Sequence, residues 1–504
     1  MKVYTPQIMQ AAENYLFEKK GVLPLDLMKK AASEMHRVIV DRLHPYDAVT
    51  VLCGRGNNAG DGYELARLLR RGGYNVICVN IFDAEPAVEP AHTCYEAYLN
   101  EGGRTVSDPK AACKKIAMSD IVIDAVFGIG FRGSIEPETA LYRILDEANG
   151  ASRAYRVALD VPSGVRSGDG SVGNIAFAAD MTVTVTAVKI GMMSYPARFF
   201  CGTIEEVDIG VPAELLDGYE NPGFIPDDKY VFSALPKRFQ ISNKGDFGKL
   251  LCLCGSENMT GAAVLAVDAA LHAGTGLVTL ASEKSVIDCV RGRLCEPIYT
   301  PLDWESESRT AEILASLSKY SAVLAGCGLG KSQAKAKFLE TVVQNASAQL
   351  IFDADGINML AGNINVLREA RKAPILTPHP GEFSRLTGMD VTYINDNRIK
   401  CALEFAEKYR CILVLKGAGT ITAAPDGRYA VNVSGNAGLA KGGSGDVLAG
   451  LAAGLAAQPQ IDAFDAAVCA VYLHGRAADV LKGKISEYGF LPSELAKEFA
   501  RMLP

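Results

Sequence analysis

Apolar and polar positions along this chain follow two periods in turn. Residues 6–42 carry apolar side chains at helical spacing, interrupted at Gly21 and Pro24, which predicts two helices. Short, continuously apolar runs follow at 48–54, 75–82, 120–128, 156–162, 180–188 and 203–210. Helical patterns at 61–72, 90–100 and 137–149 separate the first four. Unbroken apolar strands divided by helices predict a parallel sheet covered on both faces, a Rossmann-like α/β layer sandwich. The pattern fails between 211 and 239, where Pro212, Pro222, Gly223, Pro226 and Pro236 supply turn residues. A second series then runs through 249–255, 276–281, 321–326, 349–353, 374–377 and 411–415. Runs 421–424 and 428–433 read as a hairpin around Pro425-Asp426-Gly427. The chain ends in a largely helical stretch, 447–500. The expected organisation is two α/β domains, 1–218 and 237–504, joined by a linker at 219–236.

The length of 504 residues agrees with more than one core. A net charge of −7 disfavours a nucleic-acid or anionic-membrane surface. Thirteen cysteines form no Cys-x-x-Cys pair and the six histidines are dispersed, so a zinc site is not expected. Thiols such as Cys78, Cys252, Cys254 and Cys411 lie in apolar runs and read as small core residues of a reducing compartment. The first residues lack an apolar signal core, and the longest apolar run, 447–457, is too short to span a bilayer. A cytoplasmic protein is expected.

Chemistry concentrates where predicted strands end. Strand 49–53 leads into Gly54-Arg55-Gly56-Asn57-Asn58-Ala59-Gly60-Asp61-Gly62, strand 122–126 carries Asp124, and strand 156–159 leads into Asp160-Val161-Pro162-Ser163-Gly164. Ligands of open α/β sheets collect at such ends. Oxygen donors gathered there suit a hard cation and leave a carboxylate for acid–base work. For Asp61 alone, a helix cap is an equally good account.

In the second series the richest stretch is Asn436-Ala437-Gly438-Leu439-Ala440-Lys441-Gly442-Gly443-Ser444-Gly445-Asp446, which opens directly into an apolar helix. Glycines let backbone amides approach a phosphate, and the helix N-terminus favours negative charge. An acid at the mouth of an anion site repels phosphate, so Asp446 reads as a proton acceptor for a hydroxyl brought up to it. Lys416-Gly417-Ala418-Gly419-Thr420 offers a cation and exposed amides in an order unlike a Walker A loop. His379 sits between two prolines, where it is either a ligand contact or a structural residue, and Glu382 can cap the next helix.

Gly56-Asn57-Asn58-Ala59-Gly60-Asp61-Gly62, with Asp160-Val161-Pro162-Ser163-Gly164, resembles the N-terminal half of bifunctional NAD(P)H-hydrate repair enzymes. The later motifs resemble the ribokinase-like NAD(P)HX dehydratase half. The resemblance implies that the first half epimerises hydrated NADH and NADPH (NADHX and NADPHX) at nicotinamide C6, and that the second dehydrates the S epimer at the expense of ADP or ATP. It implies potassium held by Asn58, Asp124 and Ser163. Hydrate contacts would come from Asn57, Asn58, Ala59, Gly60 and Asp61, from Gly128, Ile129, Gly130, Phe131, Arg132, Gly133 and Ser134, and from Asp160. Asp160 is the expected acid–base group, with Lys189 as an electrostatic helper. In the second half the resemblance assigns Ala262, Gly328, His379 and Asp446 to the hydrate. It gives Lys416, Gly417, Ala418, Gly419, Thr420 and Gly445 to the adenine nucleotide, used with magnesium. ADP is the nucleotide chosen by resemblance, and a homo-oligomer is implied. Ala59 stands where relatives usually have glycine, which matters only if that residue needs φ > 0. The alternative reading is a small-molecule kinase of the same fold joined to a ligand-binding domain.

Overall fold

A computed structural model describes residues 3–219 and 223–503. The chain divides into two compact units between Phe224 and Ile225.

The N-terminal unit begins with helices Pro6–Lys20 and Pro24–Val40. Thr5 caps the first, its Oγ1 accepting the Ile8 amide at 3.4 Å, and Gly21 ends it at φ +67°. A seven-stranded sheet follows in the order Thr105–Val106, Asn75–Asn80, Ala48–Cys53, Ile121–Ala125, Tyr155–Leu159, Met181–Val185, Thr203–Val207. Every pairing in it is parallel. Val49, Val51, Cys53, Ile121 and Ile123 pack into a core on one face. Leu52, Val79 and Val122 pack into another on the opposite face, as the two-residue period of a strand requires. All strands point one way, so Cys53, Ala125 and Leu159 end along one edge. Three features went unread in the sequence: the helix Pro109–Ala117, the edge strand Thr105–Val106 and a parallel pair, Val3–Tyr4 with Val188–Lys189. Runs of two residues carry no periodicity.

The helix predicted from residue 61 starts at Asn57, with Gly56 as its N-cap. The asparagines expected in a turn therefore occupy the first helical turn. Ala59 is helical and buried, so the departure from glycine there carries no backbone cost.

The C-terminal unit builds a sheet in the order Tyr429–Val431, Ile421–Ala423, Ile412–Leu415, Ile375–Leu376, Gln349–Phe352, Ala322–Ala325, Lys249–Leu253, Leu277–Ser282, Ile298–Pro301. Pairings are parallel except in the hairpin formed by the first three strands named. Helix Ser444–Ala456 packs against helix Thr260–His272 so closely that a Cβ on Gly450 would lie 2.1 Å from the Ala266 carbonyl oxygen.

The stretch 211–239, where the periodic pattern fails, is partly helical, at Ala213–Asp217 and, within the expected linker, at Asp228–Ala234. Asp228 accepts the Tyr472 hydroxyl at 2.7 Å and Asp465 accepts the Tyr230 hydroxyl at 2.6 Å, so residues 225–236 pack as part of the C-terminal unit. Glu220, Asn221 and Pro222, where the domain boundary was expected, lie outside the described residues. Among the described residues no helix is long and apolar enough to cross a membrane.

Candidate active sites

At the strand-end edge of the N-terminal unit lies a cavity of about 820 Å³, a size typical of small-molecule sites. Asn57, Asn58, Asp61, Gly128, Ile129, Gly130, Phe131 and Asp160 line it, as the sequence motifs suggested. Ala59 and Gly60 lie behind this wall. A Cβ on Gly60 would meet Met28 Sδ at 2.5 Å and Ala91 Cα at 2.8 Å, so glycine there permits helix contact. Arg132, Gly133 and Ser134 are exposed and do not line the cavity; the Ser134 hydroxyl donates to Glu136.

Asp160 follows its strand in the left-handed region, φ +66°, a conformation costly for most residues but accessible to Asp. Its carboxylate is ion-paired to Lys189, whose ammonium also donates to Thr184 Oγ1 at 2.9 Å and the Val185 carbonyl at 3.0 Å. Lys189 is 2% exposed. A buried ammonium needs this degree of satisfaction, which makes the pair a built feature. Gly128 is kept small by the site: a Cβ there would sit 3.1 Å from Asp160 Oδ2.

Beneath the cavity, Asp124 accepts the Val126 amide at 3.1 Å, the Ser163 amide at 2.7 Å and the Ser163 hydroxyl at 2.7 Å. Burial pushes its carboxyl up to about 6, against the pull of these bonds. Asn58 is buried with neither amide atom hydrogen-bonded. An orphaned buried amide oxygen, with a carboxylate and a hydroxyl on adjacent strand ends, is a donor set that fits a hard cation.

The second site forms at the strand ends of the C-terminal unit. Asp446 lies in the first turn of helix Ser444–Ala456, whose N-cap Gly443 takes φ +100°. Ligand atoms of Cys327, Asp353 and Asp446 lie within 4.8 Å of one another. Burial first, then the Asp353 charge, pushes the Asp446 carboxyl up to about 6, while Lys416 and Cys327 pull it down. Lys416 bonds Asp353 Oδ1 at 2.8 Å, and Glu382 lies 3.9 Å away. Burial opposes the ammonium charge, but those two acids outweigh it and hold Lys416 above its usual value. Its Nζ stands 3.3 Å from where a Cβ on Gly445 would be, so cation and helix N-terminus share one spot. A cation beside a helix N-terminus is an arrangement that suits a phosphate.

Gly328, at φ +58°, packs on Ala262: a Cβ would meet the Ala262 methyl at 2.6 Å. These two residues, far apart in sequence, form one wall. The Lys416–Thr420 loop closes on itself through Thr420 Oγ1 donating to the Gly417 carbonyl at 2.8 Å. His379 is the N-cap of helix Pro380–Thr387. Its Nδ1 accepts the Gly381 amide at 3.0 Å, and Glu382 accepts the His379 amide at 2.9 Å. The structural alternative for His379 therefore holds at Nδ1, and Nε2 of the half-exposed ring faces Glu382 Oε1 at 3.4 Å.

Sequence reasoning missed several participants. Buried Arg398 donates to the Leu415 carbonyl at 2.8 Å and the Lys416 carbonyl at 3.1 Å, fixing the loop that carries Lys416. His474, pushed down to about 4 by burial, lies against the Ser444 backbone. Glu13 lines the N-terminal cavity. Each reaches its site from a helix distant in sequence, and none belongs to a glycine-rich motif.

Both halves of the chain are similar to known proteins. Residues 24–191 match the family model for the YjeF-related protein N-terminus, and residues 250–501 match that for NAD(P)H-hydrate dehydratase. The C-terminal unit is thus of the NAD(P)H-hydrate dehydratase class, on an α/β layout with a largely parallel sheet. The bifunctional NAD(P)H-hydrate repair enzyme of Moorella thermoacetica is 34% identical over 441 residues, covering 86% of this chain and 82% of that protein. Its Escherichia coli counterpart is 33% identical over 483 residues, covering 96% and 90%. An ADP/ATP-dependent NAD(P)H-hydrate dehydratase from Bacillus subtilis, co-crystallised with ATP and Mg2+, aligns over 55% of this chain and 96% of its own. The identity is 32% and the TM-score 0.49. The chain belongs to the family of bifunctional NAD(P)H-hydrate repair enzymes.

Proposed function

We propose that this chain repairs hydrated NADH and NADPH in two steps on two sites. Residues 1–218 interconvert the R and S epimers at nicotinamide C6. Residues 237–504 dehydrate the S epimer, consuming ADP. The observation that carries the reading is the presence, in one chain, of two complete strand-end sites, each with its own acid–base carboxylate: Asp160 beside Lys189 and Asp446 beside Lys416.

At the first site the hydrate's C6 is a carbinolamine carbon, bonded to both hydroxyl and ring nitrogen. Its configuration is lost when a bond at C6 opens and restored on either face when it closes. Asp160 takes and returns the hydroxyl proton. Asn58, Asp124 and Ser163 would hold potassium, which would supply fixed positive charge to the site.

At the second site Asp446 takes the proton of the C6 hydroxyl, and the oxygen attacks the terminal phosphate of ADP, releasing AMP. Lys416 and the amides at Gly443–Gly445 meet the charge on the transferring group. Asp353, whose Oδ1 is taken by Lys416 and Thr377, keeps Oδ2 toward the site. Asp353 would thereby hold a magnesium ion carried by the nucleotide, which would supply charge neutralisation at the phosphates, leaving Asp446 as the base. Phosphate then departs from C6 with the help of the nitrogen lone pair, and loss of a C5 proton restores the dihydropyridine.

The test is to give the protein chemically hydrated NADH with ADP, Mg2+ and K+. Return of NADH absorbance with release of AMP and inorganic phosphate supports the reading. A stable phosphorylated product would identify a small-molecule kinase instead.

A further inference from the structure

The first helix, Pro6–Lys20, presents one face to the epimerase cavity, through Met9, Gln10, Glu13 and Phe17. Their spacing is that of a single helical stripe, and Glu13 is its one ionisable member. Nothing in the acid–base scheme above uses this residue. Glu13 lies within the field of Asp160 and Lys189, and Asp61 within that of Glu13 and Asp160. Besides the exposed Glu89, three carboxyl groups thus face one cavity that holds a single buried ammonium, already paired with Asp160. They cannot all carry charge there. Burial, then the Asp160 charge, pushes Glu13 up to about 7, with Lys189 pulling against them. Asp61 is pushed well above its usual value by burial, then by Asp160 and Glu13. A carboxyl group that holds its proton beside an ion-paired carboxylate can donate that proton while the other accepts one.

We propose that Glu13 is the general acid of the epimerase, protonating the ring nitrogen while Asp160 removes the proton of the C6 hydroxyl. The proposal rests on the epimerase reading above. As the hydroxyl proton passes to Asp160, the oxygen forms a C=O bond. The C6–N1 bond breaks, its electron pair goes to N1, and N1 takes the proton of Glu13. The product is an open-chain aldehyde with a ring-opened N–H. Rotation about C5–C6 turns the other carbonyl face to N1. Closure reverses every transfer: N1 attacks, Glu13 recovers its proton, and Asp160 returns its proton to oxygen. Atoms and charge balance, and no further reactant is consumed. Glu13 suits this role, because an acid that exchanges its proton near neutral pH both donates and recovers it efficiently.

The charged groups facing Glu13 are Asp160 and Lys189, Asp61 on helix Asn57–Arg71, and Arg55 and Glu89 on the wall. The second helix faces the cavity with Pro24, Leu27, Met28 and Ala31, none of them titratable. Helix Ala213–Asp217, packed on the first, carries the exposed Glu214.

The experiment gives purified S epimer, without nucleotide, to full-length wild type, Glu13→Gln, Glu13→Asp and Asp160→Asn, and follows the R epimer by chromatography across pH. The wild-type rate is expected to fall as pH rises through about 7, where Glu13 loses the proton it must donate. Glu13→Gln is expected to lose ~10²-fold in kcat with KM little changed and without that alkaline fall. Glu13→Asp, which keeps the acid, retains the fall. Wild-type kcat in Glu13→Gln, or an unchanged alkaline fall, overturns the role of Glu13 alone. A wild type that forms no R epimer overturns the epimerase reading and this proposal with it.

Discussion

Asp446 is poised by opposing neighbours, with burial and Asp353 favouring its neutral form and Lys416 its charged form. A general base works when unprotonated, so dehydration of the S epimer should rise as pH increases through about 6, the value to which the carboxyl is pushed. Asp446→Asn should lower kcat by ~10²–10⁴-fold at every pH and abolish that rise. Initial rates of phosphate release across pH check both; a flat profile for the wild type would remove Asp446 as the base. Residues such as Asp446, Asp160 and Gly328 were legible because their chemistry is local: a glycine loop and an acid at a strand end. Glu13, Arg398 and His474 were not. An acid on an amphipathic helix reads as a solvent-facing residue until the helix is known to close a cavity. Arg398 gains its meaning from carbonyls 17 and 18 residues away.

Elements were easier to read than their ends. Buried parallel strands of four to six residues announced themselves as apolar runs, whereas the half-exposed edge strand Ile298–Pro301 went unread. The start of the helix at Asn57 was hidden, because a glycine- and asparagine-rich first turn resembles a loop. Burying those residues against Met28, Ala91 and Ala125 settles them in the helix. The same logic governs helix Ser444–Ala456, which carries Asp446 and lies backbone to backbone on helix Thr260–His272 at Gly450. Gly450→Ala should therefore destabilise the C-terminal unit by about 1–3 kcal/mol, since backbone must shift to admit the methyl. The usual gain of alanine over glycine in a helix, about 1 kcal/mol, is too small to offset this. Thermal unfolding of wild type and variant measures it. An unchanged or raised midpoint would contradict the close packing.

At the scale of the molecule, the order of the two series explains why the activities belong together: a dehydratase that accepts one epimer leaves the other to accumulate unless an epimerase feeds it. Two units with separate cores and separate sites predict that the steps are separable by point substitution. The direct measurement uses hydrated NADH containing both epimers, with ADP, Mg2+ and K+, and full-length Asp160→Asn and Asp446→Asn proteins, each alone and mixed. Asp160→Asn should consume the S epimer and then slow to the rate of spontaneous epimerisation, while Asp446→Asn should equilibrate the epimers without producing NADH. The mixture should convert both epimers fully, because the hydrate diffuses between sites. Loss of both steps in either single variant, or a mixture that fails to recover the R epimer, would contradict the two-site account.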